Sequence, residues 1–329
     1  MDLASLENTI AELGQPSYRV GQVWDWLARG TGSFDEMSNL PAGLRSDLAA
    51  RLPISTLEVD ASATSVDGTE KALFMTGDRR PVEAVLMRYR DGRRSLCLSS
   101  QSGCPLTCTF CATGSMKFGR NLSESEIIDQ ALHFRRIEPV NHAVFMGMGE
   151  PMMNLDNVLA VCERLPDIGV ANSHTTISTV GWLPGIERVT TEGPAVRLAL
   201  SLHAPDDALR SRIMPVNDRY PVAEVVAACR EWRHARKRKV FIEYLMLDGV
   251  NDSPELAHEL AGLLLPRNDF KVNLIPYNPS GNEYRGSPRE SISRFREILI
   301  GRGIHATVRL TRGRDIDAAC GQLAAKAAA

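Results

Sequence analysis

Strand-like and helical segments alternate along most of this chain, and this alternation restricts its fold more than any other feature. The apolar runs predicted as strands are residues 142–147, 175–178, 196–202, 240–247, 272–275 and 306–310. The predicted helices are residues 123–136, 155–165, 184–191, 222–236, 254–265 and 289–301. Repeated β-α units form a parallel sheet with right-handed crossovers. Together with the strand that carries Cys97, about six or seven units predict an α/β fold with an open, partial TIM-like barrel.

Two smaller parts precede this barrel, which we assign to residues 95–315. Residues 1–60 predict a small helical module, and residues 61–94 a polar linker followed by a β-hairpin extension. Asp91-Gly92 is a strong signal for the turn of that hairpin. A two-residue turn would pair Cys97 with Leu86, and Glu83 would then face the other side of the sheet unless a bulge shifts the register. Residues 316–329 are left as a C-terminal segment.

Three cysteines follow the first strand of the barrel at CxxxCxxC spacing: Cys104, Cys108 and Cys111. Three thiolates can hold three irons of a 4Fe–4S cluster and leave the fourth iron open to a small molecule. Structural zinc is the alternative, but it requires four ligands, usually in two pairs, and no second CxxC or HxxxH occurs. Seven cysteines, no signal segment and no run that could span a membrane predict a cytoplasmic protein, where stable disulfides are rare.

Polar residues recur where the predicted strands end. They are Gly149, Glu150, Ser178, Ser201, Leu202-His203 and Asn278. Each has a simpler explanation alone, since the serines could cap helices, Asn278 could turn the chain and His203 could be a packing residue. The carboxyl ends of barrel strands nevertheless meet on one face, where barrel enzymes build their sites. The convergence therefore predicts a polar cofactor pocket beside the cysteine loop.

The formal net charge is only −2, but two segments are basic. Residues 230–239 carry six cationic side chains against Glu231, and residues 285–314 carry eight arginines against Glu290 and Glu297. Such segments could bind phosphates, or they could be solvated helix faces. The sequence leaves both interpretations open.

Five segments resemble the RlmN/Cfr family of radical S-adenosylmethionine (SAM) RNA methyltransferases. They are residues 104–111, 146–151 (MGMGEP), 201–205 (SLHAP), 273–279 (NLIPYNP) and 315–323 (DIDAACGQL). The resemblance covers most of the chain, including the N-terminal module. It implies a radical SAM-type barrel, one 4Fe–4S cluster on the three cysteines, and two SAM molecules per turnover. It also implies SAM contacts from the strand-end residues, Gly149, Glu150, Ser178, Ser201, Leu202, His203 and Asn278.

The resemblance further implies roles for residues outside the cluster. A first SAM would methylate Cys320, and a 5′-deoxyadenosyl radical from a second would take a hydrogen from that methyl group. The carbon radical would add to adenine, and Cys97 would then attack Cys320, releasing the RNA and leaving a disulfide. Glu83 falls at the family's general-base position. Cys162 and Cys229, each in an apolar helical pattern, are predicted to be buried packing residues.

The favoured substrate is C2 of an adenosine in 23S rRNA near the peptidyl-transferase centre, with tRNA next to the anticodon as a further target. The alternatives are C8 of the same rRNA adenosine, a non-catalytic RNA-binding protein with a structural metal, and a radical SAM enzyme for a small molecule. The expected partners are RNA and a flavodoxin- or ferredoxin-type electron donor. We expect a monomer that does not bind membranes.

Overall fold

The computed structural model describes residues 1–266 and 268–324. Its first part is helical, with α1 at Leu3–Glu12, α2 at Tyr18–Arg29 and α3 at Ala42–Arg51. Their apolar stripes are buried, and Trp24 of α2 donates a hydrogen bond of 2.7 Å from Nε1 to Asp167 Oδ2. The helices predicted in this part are therefore present, and they pack on the rest of the chain.

Four antiparallel strands follow: β1 (Glu58–Thr64), β2 (Glu70–Met75), β3 (Pro81–Arg88) and β4 (Arg94–Cys97). The segment interpreted as a polar linker, around residues 59–69, thus contains most of β1 and ends just before β2. β1 lies at the sheet edge with mostly exposed side chains, and its apolar positions, Val59, Ala61 and Ala63, are mostly small. Its pairing with β2, rather than local burial, makes it a strand.

The short strands β5 (Gln101–Ser102) and β6 (Arg120–Asn121) pair with each other and flank the cysteine loop. Helix α4 (Glu124–Ile137) begins right after them. Ser123 and Glu126 form the predicted capping box, in which each side chain accepts a hydrogen bond from the other's backbone N–H.

The remaining elements alternate as predicted. They are β7 (His142–Phe145), α5 (Leu155–Arg164), β8 (Thr175–Thr179), α6 (Leu183–Thr191), β9 (Arg197–Ser201), α7 (Asp207–Ile213), α8 (Val222–Arg236), β10 (Val240–Met246), α9 (Pro254–Leu263), β11 (Phe270–Pro276), α10 (Arg289–Gly301) and β12 (Ala306–Val308). The sheet order is β1-β2-β3-β4-β7-β8-β9-β10-β11-β12, and the strands from β4 to β12 are parallel. Within the described residues β1 and β12 are unpaired edges, so the predicted open barrel is confirmed.

The register between β3 and β4 differs from the prediction by one residue. Cys97 pairs with Val85, and Leu96 pairs with Leu86. The Tyr89 N–H donates to the Arg93 carbonyl at 2.9 Å, which leaves a three-residue turn that ends at Gly92, with φ 87°. Because side chains alternate along a strand, Glu83 lies on the same face as Cys97 and not on the opposite one.

Candidate active site

The carboxyl ends of the parallel strands surround a cavity of about 940 Å³. Nine of the residues singled out from the sequence line it: Cys104, Cys108, Cys111, Gly149, Glu150, Ser178, Ser201, His203 and Cys320. Leu202 and Asn278 do not line it. The convergence of the cysteine loop with the strand ends is therefore present, and Cys320 joins it from the far end of the chain. We call this space the cofactor cavity.

The cysteine loop folds back on itself so that its thiols share this cavity. The N–H of Cys111 donates to the Cys108 carbonyl at 3.2 Å, and the Thr109 N–H anchors the loop to the Ile213 carbonyl at 3.0 Å. Burial raises the pKa of Cys104 to about 12 and raises those of Cys108 and Cys111 as well. Such thiols lose their protons only when a bound cation compensates the charge.

The spacing of the thiols bears on which metal they fit. Among residues 1–266 and 268–324, no three His, Cys, Asp or Glu side chains are placed to bind a single metal ion. A mononuclear zinc site needs its ligands within about 2.3 Å of one point. In a 4Fe–4S cluster each thiolate binds a different iron, so the sulfurs stand further apart around one cavity. Three thiols lining a shared cavity fit the cluster.

Glu150 places a buried carboxylate at the wall of the cofactor cavity. Its oxygens accept hydrogen bonds from the N–H groups of Met152 at 3.1 Å and Val180 at 2.9 Å. Gly149 has φ +95°, and a Cβ there would lie 2.5 Å from the Gln101 side chain, so glycine is required at this position. Burial raises the pKa of Glu150 to about 7, and a cationic ligand beside the carboxylate would stabilise its charged form.

Two serines and a histidine complete the polar wall. The hydroxyl oxygens of Ser178 and Ser201 lie 3.5 Å apart. His203 accepts a hydrogen bond on Nδ1 from the Leu245 N–H at 3.0 Å, and its ring packs edge-on against Phe110. Burial lowers the pKa of His203 to about 3, so the ring is neutral and carries its proton on Nε2.

The side chain of Leu202 lies outside the cofactor cavity. Its side chain is fully buried in the hydrophobic core, and its carbonyl accepts a hydrogen bond from Arg210 Nε at 3.1 Å. Arg210 is itself buried and also donates to the Asn217 side chain at 2.8 Å and to the Val180 carbonyl. Burial lowers the pKa of Arg210 to about 10, which leaves it cationic at neutral pH. Arg210 thus joins the segments that follow β8 and β9, a role that no local sequence signal indicates.

A second cavity of about 530 Å³ adjoins the first. Both Cys97 and Cys320 line it, together with Asn278, Tyr89 and Arg309. Burial, and next the charge of Cys320, raise the pKa of Cys97 to about 12. All seven cysteines are free, so the disulfide implied by the resemblance is absent from this state. We call this space the thiol cavity; Cys320 borders both cavities.

Arg309 is the main cationic group between the cavities, and sequence reasoning did not single it out. Its Nη1 lies 3.4 Å from Glu243 Oε2 and 3.3 Å from the sulfur of Met146. The charge of Cys320 raises the pKa of Arg309 despite the cost of burial. Glu243 also accepts a 2.8 Å hydrogen bond from Asn273 Nδ2, so a polar network runs from the barrel interior to Cys320.

The two basic segments have different positions. In residues 230–239, Arg233 pairs with Asp269 at 3.1 Å, and Arg236 donates to the Val189 carbonyl at 2.9 Å. This segment leads into the amino end of β10, whereas the cavities lie at the carboxyl ends of the strands. Arg233 and Arg236 therefore serve internal contacts away from the site. Arg309 and Arg312, from residues 285–314, instead line the thiol cavity.

Comparison with known proteins identifies the family. The radical SAM superfamily matches residues 98–261, and the N-terminal domain of ribosomal RNA large subunit methyltransferases matches residues 1–54. A probable dual-specificity RNA methyltransferase RlmN from Gemmatimonas aurantiaca is 46% identical over 98% of this chain and 90% of its own length. The dual-specificity RNA methyltransferase RlmN from Pelobacter propionicus is 43% identical over 99% of this chain and 95% of its own.

This chain belongs to the RlmN family of radical SAM RNA methyltransferases. A crystal structure of a radical SAM methyltransferase from Sphaerobacter thermophilus agrees with the RlmN-type fold described above. It has a TM-score of 0.92 and 43% identity, and the alignment covers 99% of this chain and 98% of that one. The family assignment from the sequence is confirmed, and membership implies a 4Fe–4S cluster, SAM and an RNA substrate. No helix in the described part of this RlmN-type chain is long and apolar enough to cross a membrane.

Proposed function

We propose that this chain methylates C2 of adenosine in RNA through an S-methylated Cys320. The substrates would be 23S rRNA near the peptidyl-transferase centre and tRNA at the adenosine next to the anticodon. The observation that carries the proposal is the position of Cys320, which borders both the cofactor cavity and the thiol cavity with Cys97. A methyl group accepted on the first side could be passed to a base on the second.

The cofactor cavity supplies residues that suit the cluster and SAM. Cys104, Cys108 and Cys111 would hold three irons, and the Glu150 carboxylate would neutralise the ammonium group of SAM. When bound, the cluster and two SAM molecules per turnover supply the methyl group and the radical that activates it. The hydroxyls of Ser178 and Ser201 would bind polar groups of SAM, while neutral His203 adds no charge to the cavity wall.

The thiol cavity would receive the target adenine. A base within a stacked RNA must leave the stack to reach an enclosed thiol. Tyr89 offers a ring and Asn278 an amide on the cavity wall, beside Cys97 and Cys320. Asn278, predicted as a SAM contact, therefore stands in a position that also suits the base.

Release of the RNA requires only groups of the chain and the substrate. The Cys97 thiolate would attack Sγ of Cys320, forming a disulfide while the bond between that sulfur and the RNA-bound carbon breaks. The electron pair passes to the carbon, which takes up a proton and becomes the methyl group. Before this release, Glu83, on the same face as Cys97, would accept the proton of adenine C2, and the unpaired electron of the adduct would pass back to the cluster. Cys97 must first lose its own proton, because burial keeps it a thiol at neutral pH.

The remaining expectations belong to this proposal. They are a flavodoxin- or ferredoxin-type electron donor, a monomeric enzyme and a cytoplasmic location. Each has its own measurement: reduction of the cluster by a purified donor, the mass of the protein in solution, and cell fractionation.

The test is mass spectrometry of nucleosides from 23S rRNA and tRNA after reaction with the reduced, cluster-loaded protein and SAM. We expect 2-methyladenosine in both RNAs, with Cys320→Ala as the inactive control. Formation of 8-methyladenosine would show that C8, the alternative left open by the sequence, is the methylated position instead of C2. Binding of RNA with no cleavage of SAM would contradict catalysis altogether.

A further inference from the structure

The tail, residues 313–324, carries Cys320 and is attached to the β1–β3 strands, of which the sequence had indicated only β3. Ser65, in the turn after β1, donates from Oγ to Asp315 Oδ1 at 2.5 Å. In the same turn, Asp67 accepts from the Gly313 N–H at 3.0 Å. A Cβ on Gly313 would lie 2.9 Å from the Thr69 side chain, so glycine permits this close approach.

Lys71 and Glu83 attach the tail on both sides of Cys320. Lys71 Nζ donates to the Asp317 carbonyl at 3.3 Å and lies 2.9 Å from Glu83 Oε1. The other carboxylate oxygen of Glu83 accepts a hydrogen bond from the Ala324 N–H at 3.0 Å. Lys71 is 14% exposed and Glu83 is 1% exposed, so water screens this ion pair little.

We propose that Lys71 is a positioning residue that holds the tail closed, with Cys320 at the cofactor cavity. Lys71 acts through two contacts: directly on the tail at Asp317, and through Glu83 on the tail at Ala324. The proposal rests on the proposed function in one respect, that Cys320 is the methyl acceptor.

The closed tail also determines what Glu83 can do. One oxygen faces Lys71 and the other accepts from Ala324, so the carboxylate is engaged while the tail is docked. Glu83 would become available to the substrate base when Ala324 leaves it. Cys320 would then be methylated while the tail is docked. Glu83 would remove the proton from RNA only after the tail has moved away from it.

The test is hydrogen–deuterium exchange of the cluster-loaded protein, read on the peptide that carries residues 313–324. Loss of one hydrogen bond to a charged group should speed local opening about tenfold in Lys71→Met. Exchange in α8 should not change. The methylated fraction of Cys320 and kcat should fall while KM for RNA stays constant, and Lys71→Arg should restore them. Lys239→Met, at an exposed lysine just before β10 and away from the carboxyl ends of the strands, is the matched control.

Unchanged exchange in the tail of Lys71→Met would overturn the proposal. If α8 also exchanges faster, that variant has lost its fold, and the polar, uncharged variant Lys71→Gln decides instead. Faster exchange confined to the tail of Lys71→Gln supports the proposal, and an unchanged tail overturns it. A wild-type protein that never methylates Cys320 would contradict the proposed function, whereas the exchange experiment would still decide the role of Lys71.

Discussion

The Ala112 N–H donates a hydrogen bond of 2.8 Å to the Gly321 carbonyl. Ala112 follows Cys111 and Gly321 follows Cys320, so the cysteine loop and the tail share a backbone contact right beside their functional thiols. Thr113 Oγ1 adds a second link, to the Leu323 carbonyl at 2.6 Å. The position of Cys320 therefore depends on the conformation of the cysteine loop as well as on the β1–β3 strands.

Replacing Cys108 by Ala should abolish the cluster, because two thiolates leave two irons without protein ligands. The measurement is the iron content and visible absorbance of anaerobically purified protein. Cys162→Ala is the control: Cys162 is fully buried in α5, as predicted, and its loss should leave iron binding intact. Full iron content and SAM cleavage in Cys108→Ala would contradict the assignment.

Cys97 and Cys320 should be separable by their variants. Cys320→Ala should keep the cluster and transfer nothing to RNA, because the methyl acceptor is gone. Cys97→Ala should still methylate Cys320 but accumulate RNA joined to it, since Ala offers no thiolate to release the adduct. A denaturing gel, nuclease digestion and peptide mass spectrometry would detect that species. Normal turnover of Cys97→Ala without a crosslink would return Cys97 to a packing role.

Much of this site follows from the sequence because its signals are local. Buried parallel strands are apolar runs, and the proposed cluster ligands lie within eight residues, Cys104 to Cys111. The pairing of Arg309 with Glu243 was not predicted, because no local sequence pattern indicates that two charged residues far apart in the chain are in contact. β1 was missed because its side chains are mostly exposed and its apolar positions are mostly alanines, which give a weak strand signal. The resemblance assigned Leu202 to SAM, and this contact stays a prediction; the structure shows its side chain packed in the core.

Arg210→Leu should destabilise the fold by about 2–4 kcal/mol, because it leaves the Leu202 and Val180 carbonyls without their donor. Urea denaturation of the cofactor-free protein measures this change in the free energy of unfolding. Arg212→Leu, at an exposed position of the same helix α7, should shift it by no more than about 0.5 kcal/mol. Equal stability of the two variants would contradict the structural role of Arg210.

RNA affinity should depend on cations at the cavity end of the barrel. Reversing the exposed Arg285 and Arg314 should weaken binding and reduce the salt slope by about 0.9 for each phosphate that is no longer neutralised. Reversing the exposed Lys237 and Lys239, before β10, should change neither. Affinities over a salt series would provide the measurement. The opposite result would place the RNA interface at residues 230–239.

Acidic pH should destabilise the fold in part through His142, whose ring stacks on His174 with centroids 4.3 Å apart. Burial, and next the charge of His174, lower the pKa of His142 from 6.5 to about 4. Since the folded pKa is the lower one, the stabilising contribution is complete above pH 6.5 and is lost as the pH falls to about 4. Urea midpoints across this range should change less in His142→Gln than in wild type or in the exposed-site control His234→Gln. Identical profiles would contradict this role.

Whether the turn between β3 and β4 has an odd or an even number of residues decides whether Glu83 and Cys97 lie on the same face of the sheet. With one residue fewer, every side chain of β3 would exchange faces relative to β4, and Glu83 would point away from Cys97. A change of two residues would keep both on one face. Insertions or deletions in this turn therefore keep Glu83 and Cys97 on the same face only when they change its length by an even number of residues. A bulge elsewhere in β3 could compensate for an odd change.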